Sequence, residues 1–292
     1  VSESVIQDAY TPVNANQYIG DVLQSGYKFN EKYYWCVNNS GKIVITDKDM
    51  HKLSTITGLI SPRYIAFVSN SKAYVSNLQL NNNAANYIQV IDLNTNTISK
   101  SIRLDGWTEE MVQSYGNVYV CNQRKKYLYV IDAANDIVSD SIPLNATSAC
   151  IVKDQSEKLW VSCNSDATNN INARLVRINP VSKTIEADLS LQTTQASVSR
   201  LHVNGDGSNL YFLLNDLYRM PVSSLSVPSA ALVLQNNQQF YGFCIDPSDE
   251  TIYVSDAIDF IQNGSILRYK PDGTYLGSFK AGVAPGYMWI EE

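Results

Sequence analysis

The sequence predicts an all-β fold, a β-propeller of four-stranded blades, and three observations lead there. A phrase recurs: "IQVIDLNTNTISKSIRL" (residues 88–104) returns 40 residues later as "LYVIDAANDIVSDSIPL" (128–144), with seven of seventeen positions identical. An aromatic residue followed by a β-former recurs at Tyr34, Tyr74, Tyr119, Trp160, Tyr211 and Tyr253, at spacings of 40 to 51 residues. Between these aromatics, short alternating apolar runs are punctuated by turn signals such as "NPVS", "KPDG", "DPSD" and "NGDG", the pattern of strands joined by tight turns. Four short strands per 40–45 residues is the signature of a propeller blade. A four-stranded twisted sheet has two apolar faces and buries neither alone, so blades stack.

Each period reads as four elements in order. A first strand precedes the aromatic ("RYIAFVS", "ACIVKD", "RLHVNG", "YGFCIDP"), and the aromatic itself marks the second. The third strand ends in a turn ("IVITDKD", "IQVIDLNT", "LYVIDAAN", "LVRINPVS", "LYRMPVSS", "ILRYKPDG"), and a fourth follows ("TISKSIRL", "IVSDSIPL", "TIEADLSL", "YLGSFKAG"). The repeated phrase is thus a blade's outer hairpin. Asp92 and Asp132 are expected to close its turn by accepting backbone N–H bonds, as Asp carboxylates do in Asx turns.

Six such periods are complete. "APGYMWIEE" (residues 284–292) reads as the innermost strand of a seventh blade and "ESVIQDAY" (3–10) as an outermost strand. The expectation is therefore a single domain over residues 1–292, a propeller of seven blades with one incomplete, helix content near zero. The missing middle strands imply an N-terminus trimmed from a longer chain, or a thin last blade. A six-bladed ring is the alternative.

Composition limits the partners. Charged residues are 17% of the chain, the net charge is −6, and the nearest approach to a basic run is "RKK" at Arg124–Lys126. Nucleic acid binding has little electrostatic support in such a chain. Apolar stretches are strand-sized, so no transmembrane helix is expected. Five cysteines without a CxxC argue against structural zinc. A Cys150–Cys163 bridge across one hairpin is left open.

The strings "YVSN" (Tyr74–Asn77), "VIDLNTNTI" (Val90–Ile98) and "YVIDAANDIV" (Tyr129–Val138) resemble the YVTN propeller repeat, and the last blade, "IYVSDAIDFIQNGSILRYKPDGTYLGSF", resembles an NHL-type repeat. The likeness covers nearly the whole chain. With the Asn- and Tyr-rich composition, it looks like the surface-layer-type propellers of Bacteroidetes, usually exported lipoproteins, some of which capture corrinoids beside a TonB-dependent transporter. It implies export to the periplasm or cell surface, with a signal peptide and lipobox cysteine encoded upstream of Val1 and any lipid anchor outside this chain. No ligand motif matches residue by residue, so the likeness concerns the fold alone.

Chemistry-bearing residues are sparse. His51 ("KDMHKLS") reads as a solvated turn residue. His202 ("SRLHVNG") reads as a packed first-strand residue at the position held by Phe67, Ile151 and Cys244 elsewhere. No Ser-His-Asp or Cys-His arrangement emerges. Where first strands begin, the acids are Asp21, Glu109 and Glu110, too few for the axial metal of propeller hydrolases. "CNSDATNN" lacks EF-hand spacing. Asp-box, quinoprotein tryptophan, P-loop and GxGxxG motifs are absent. The expectation is a protein that is not an enzyme and needs no cofactor or metal.

What remains is the face carrying the blade-to-blade links and the loops between second and third strands, which can vary without disturbing the stack. Three insertions stand out there: "LQLNNNAANY" (Leu78–Tyr87), "NSDATNNINA" (Asn164–Ala173) and "DAIDFIQNGS" (Asp256–Ser265). Around them lie Arg63, Tyr64, Trp107, Glu109, Glu110, Gln123, Arg124, Gln239, Tyr241, Asp256, Asp259, Phe260 and Tyr287. Rings with a few charges and amides suit a polar, ring-containing ligand. The reading is a monomeric, non-catalytic ligand-binding propeller, taking a corrinoid or glycan for an outer-membrane transporter or surface complex. The alternatives are a protein-interaction scaffold and a metal-dependent lactonase-like hydrolase.

Overall fold

The computed structural model describes residues 5–79 and 86–291. Its contacts divide the chain into two compact units, one formed by Asp8–Ser148 and the other by Ala149–Glu292 with Val1–Gln7. The fold is all-β, with six antiparallel blades of the propeller type.

The unit Asp8–Ser148 carries three four-stranded blades with strands in sequence order. They are β1 (Leu23–Phe29), β2 (Lys32–Val37), β3 (Lys42–Thr46) and β4 (Lys52–Ile56); then β5 (Pro62–Ser69), β6 (Lys72–Asn77), β7 (Asn86–Asp92) and β8 (Thr97–Leu104); then β9 (Thr108–Ser114), β10 (Asn117–Asn122), β11 (Tyr127–Asp132) and β12 (Ile137–Pro143). The fourth blade is β13 (Ser148–Lys153), β14 (Leu159–Cys163), β15 (Arg174–Asn179) and β16 (Thr184–Ser190). The fifth has three strands, β17 (Arg200–Val203), β18 (Asn209–Leu214) and β19 (Asp216–Pro221). The sixth is β20 (Phe240–Ile245), β21 (Ile252–Asp256), β22 (Asn263–Tyr269) and β23 (Tyr275–Val283). Among the described residues the only helix is a 3-10 turn, Thr11–Val13, and no helix is long and apolar enough to cross a membrane.

All six repeat aromatics sit on second strands: Tyr34 on β2, Tyr74 on β6, Tyr119 on β10, Trp160 on β14, Tyr211 on β18 and Tyr253 on β21. Alternation along a strand then decides which neighbouring blade each residue meets. On β6, Ala73 and Val75 join Tyr34, Cys36 and Ile45 of the first blade, whereas Tyr74 joins Val118 and Val120 of the third. The same logic packs the fourth blade on the fifth, through Trp160, Leu175, Leu210 and Phe212, and the fifth on the sixth, through Tyr211, Leu213, Phe243 and Val254. The turn acids behave as expected: Asp92 accepts the Asn94 N–H at 2.8 Å and Asp132 that of Ala134 at 2.8 Å.

Among the described residues the seventh blade is not formed, and six blades are counted. Residues 284–291 take no strand. They run as a half-buried segment against β20, so closely that a Cβ on Gly242 would meet the Gly286 carbonyl oxygen at 2.5 Å. Residues 5–10 are likewise irregular: Gln7 donates a side-chain bond to the Lys280 carbonyl, and Asp8 caps Thr11. Glu3, Ser4 and Glu292 of the expected terminal strands lie outside the described residues. A sheet needs its middle strands before its edges have partners, and the described residues supply none for a seventh.

The fold also explains the letters of the repeat. On β5 the register shifts between Pro62 and Ile65, and on β20 between Phe240 and Phe243. A bulge leaves a backbone N–H without a ladder partner. The Tyr64 N–H is taken by Ser76 Oγ at 3.1 Å and that of Gly242 by Ser255 Oγ at 2.8 Å. Both serines are fully buried. Ser255→Ala should therefore orphan a buried donor and cost about 1–3 kcal/mol, read as a lower urea midpoint with unchanged slope.

All five cysteines are buried free thiols, so Cys150 and Cys163 are not bridged. His51 stays in its turn, 3.3 Å from Asp47. His202 lies on β17, its ring 4.8 Å from that of Phe243 in a T-shaped contact. It stands opposite Tyr211, as Cys244 stands opposite Tyr253, but the residue opposite Tyr74 is Ala66, because a second β5 register shift, between Phe67 and Ser69, puts Phe67 one residue out of phase. Burial pulls the His202 imidazole down to about 4, so the folded protein resists a proton that the unfolded chain accepts near ~6.5. Stability should be complete above that value and fall as pH drops towards about 4, because the unfolded state binds more protons there. Urea titrations of wild type and His202→Phe across this window check it: the variant should lose that part of the slope.

Candidate functional site

In the unit Asp8–Ser148 the structure assembles a platform around Trp107, which lies in the link between β8 and β9. Glu109, on β9 and only 2% exposed, is its anchor. One Glu109 oxygen accepts from Arg63 Nε at 2.9 Å and the other from the Trp107 indole N–H. Arg63, on β5, also reaches Gln24 Oε1 at 3.3 Å, and Gln24 donates to the Tyr64 hydroxyl at 3.3 Å. The Arg63 guanidinium lies 5.7 Å from the Tyr64 ring centroid and 6.0 Å from that of Trp107. Arg124, exposed in the loop after β10, stands 5.2 Å from the Trp107 ring. Such cation–π contacts contribute about 0.5–1 kcal/mol at exposed sites.

Asn122 holds the two backbone segments of this platform together. The last residue of β10, fully buried, it accepts N–H bonds from Trp107 at 3.1 Å, Arg124 at 2.9 Å and Lys125 at 3.0 Å, and donates to the Asp105 carbonyl at 2.7 Å. Gly106 passes so close that a Cβ there would meet the Asn122 side chain at 2.4 Å. Gln123 is exposed, its backbone N–H bonded to the Trp107 carbonyl, and Glu110 is half-buried one residue beyond Glu109. Asn77 closes the second blade's link in the same way, accepting from Ile60 and Ser61.

The unit Ala149–Glu292 has a cluster of its own. Asp256, last residue of β21, accepts the N–H groups of Gln239 and Ile258, both at 2.9 Å. Asp259 accepts those of Ile261 and Gln262 at 2.9 and 2.8 Å, and these bonds hold its carboxyl down at about 2. The braced loop keeps Ile258 and Phe260 at φ of 57° and 62°, a left-handed conformation uncommon for any residue but glycine and strained for a β-branched one. It leaves Ile258, Phe260 and Ile261 42%, 46% and 80% exposed. Phe260 meets Tyr241 edge-on at 5.0 Å, and Arg200 lies 5.4 Å over the Tyr241 ring. Tyr287 turns elsewhere, 6.0 Å from Trp289, lining a cleft of about 290 Å³ with His202, Cys244 and Met288.

Of the three insertions, "LQLNNNAANY" falls largely outside the described residues. The second is a compact loop closed by an Asp166–Ile171 bridge, with Asp166 capping Asn169. The third is the braced loop just described. Asp21, considered with Glu109 and Glu110 as a metal ligand, instead accepts from the Asn39 side chain. Among the described residues no three His, Cys, Asp or Glu side chains gather closely enough to hold a metal ion.

Four residues that hold these clusters together, Gln24, Arg200, Asn77 and Asn122, are not among the loop-face residues that the sequence singles out. The signal for the asparagines was present: "YVSN" and "YVCN" end their strands on Asn where "YVSD" ends on Asp. Nothing in the sequence marks Gln24 or Arg200, whose places depend on strands from other blades.

The model of the family described as a domain of unknown function, DUF5074, matches residues 2–268. The chain belongs to the DUF5074 family. Among curated proteins no sequence matches this DUF5074 chain. Solved structures do: hydrazine synthase of Kuenenia stuttgartiensis superposes with a TM-score of 0.66 at 13% identity, covering 98% of this chain and 91% of that one. A quinoprotein alcohol dehydrogenase-like protein from Bacteroides thetaiotaomicron gives a TM-score of 0.72 at 13% identity, covering 94% and 70%. At that identity the likeness is one of fold, and it places the DUF5074 chain among β-propellers.

Proposed function

We propose that this chain is a non-catalytic binding protein that takes a polar, ring-bearing small molecule at the Trp107 platform. One observation carries the reading: a half-buried indole whose N–H is held by a buried carboxylate and whose ring has two guanidiniums over it. Preorganised aromatic planes with fixed polar neighbours recognise rings at low entropic cost. Glu109 is committed to Arg63 and the indole, which suits a structural more than an acid–base role. The YVTN- and NHL-like strings add corrinoids and glycans as candidate ligands, a surface transporter complex as partner, and an exported, lipid-anchored, monomeric protein as setting. Fractionating the native cells tests the setting: recovery in the cytosol overturns it.

The test of binding is calorimetry with cyanocobalamin and an oligosaccharide panel. Buried aromatic anchors commonly contribute ~2 kcal/mol or more, so Trp107→Ala should weaken a ligand bound here by ~30-fold. A ligand indifferent to Trp107→Ala, or no ligand at all, overturns the reading. The exposed apolar tip of Ile258, Phe260 and Ile261 on a rigid loop favours a second reading, a protein-interaction scaffold, because surface patches of this kind mark contact sites.

A further inference from the structure

The loop after β10 carries a feature that ring recognition does not require. Arg124, Lys125 and Lys126 stand consecutively in it, with Arg124 over the Trp107 ring, in a chain whose net charge is −6. Arg124 and Lys126 are exposed and Lys125 half-buried. Glu109 does not neutralise them, since both its oxygens are engaged by Arg63 and the indole. Among the described residues, the ion pairs that form elsewhere, such as Lys72–Asp136 and Lys158–Glu186, have no counterpart at Arg124, Lys125 or Lys126. Three unpaired cations side by side repel one another, an arrangement that an anionic group relieves.

The cations are also positioned with respect to the ring. Asn122 Oδ1 receives the N–H groups of Trp107, Arg124 and Lys125 together, so the loop's first two cations are fixed to the segment that presents the indole. A guanidinium fork meets a carboxylate, sulfate or phosphate with two parallel bonds, whereas a sugar hydroxyl offers it much less. Three charges are too few to track a polyanionic backbone, whose proteins commonly neutralise about 6–10 phosphates.

We propose that the ligand of the Trp107 platform is a small anion carried on a ring: the ring packs against the indole, and its carboxylate, sulfate or phosphate is held by Arg124 with Lys125 and Lys126. This rests on the binding role proposed above and specifies the ligand's charge. Two sources share this chemistry, an acidic saccharide and an aromatic acid.

The test is calorimetry on the whole chain at low and moderate salt, using matched pairs. Trigalacturonate is set against maltotriose, and 2-naphthoate against 2-naphthol. In at least one pair the acid should bind ten-fold or more tightly than its neutral partner, the pair that responds identifying the source. Arg124→Gln, an exposed substitution that should leave the chain folded with at most a small fall in melting temperature from the lost contact with Trp107, should abolish that preference, and added salt should weaken the acid alone. Lys126→Gln serves as a second variant with a smaller effect in the same direction. Acid and neutral binding equally, a preference that survives both variants, or no binding by any of the four probes overturns the proposal. Neutral probes that bind and respond to Trp107→Ala would leave the binding role standing while removing the charge assignment. Binding indifferent to Trp107→Ala would remove both.

Discussion

Trp160→Ala should destabilise the fold by about 3–5 kcal/mol, the range for emptying a buried aromatic site. The indole is 0% exposed and joins Leu175, Leu210, Phe212 and Met220 where the fourth and fifth blades pack. Its Nε1 donates to Asp154 Oδ2 at 3.0 Å, and Asp154 is itself only 5% exposed. The substitution therefore leaves a cavity and takes a donor from a buried carboxylate at once. Trp160→Phe separates the two: it refills most of the volume but not the bond, and should recover more than half of the loss. Urea unfolding of the three proteins reads it out. Equal losses in both variants would mean that the Asp154 bond, and not the packing, dominates.

Arg63→Ala should be the most damaging change at the platform. Removing one partner of a buried ion pair costs about 3–5 kcal/mol, because the other charge stays buried alone. The lower end is expected here, since the Arg63 side chain is 20% exposed against 3% for Glu109 and the indole still donates to the carboxylate. Glu109→Gln removes the charge with the shape kept and should cost less. In the double variant Arg63→Ala/Glu109→Gln no buried charge is left unpaired, so part of the loss should return, with a coupling of about 1–3 kcal/mol. Four unfolding curves close the cycle. If the double variant is as unstable as the sum of the singles, Arg63 acts through its stem packed over Tyr64 and Trp107, and the charge pair is secondary.

The two expectations draw on different kinds of information. Trp160 was visible in the sequence as the repeat aromatic of its period. Arg63 and Glu109 are legible in the sequence only as separate loop-face residues, 46 positions apart, with nothing to mark them as a pair. Strand alternation and spacing repeat in every blade, so a residue's strand and facing could be read from its period. Contacts between blades come from a single pairing of two particular strands, and no period announces them.

The blade count shows the same boundary. The recurring aromatics mark six periods, and six blades form, the fifth with three strands in place of the expected four. The two terminal strings had the alternation of strands and so suggested a seventh. Alternation is a local property, whereas a strand exists only when a partner supplies its hydrogen bonds. With no middle strands to pair with, residues 284–291 instead lie against β20, where Gly242 and Gly286 permit close backbone approach.

By itself, then, the sequence determined the all-β blade, its period, the second-strand place of each aromatic and the Asp-capped turns, because each follows from neighbours a few residues away. The tertiary structure alone decided that Ser76 and Ser255 satisfy bulged N–H groups, that Asn122 ties Trp107 to Arg124, and that Tyr287 turns towards Trp289 and away from the loop face. Those outcomes depend on which strand lies beside which and in what register. A one-residue bulge such as that in β5 changes the register without leaving a trace in composition or spacing.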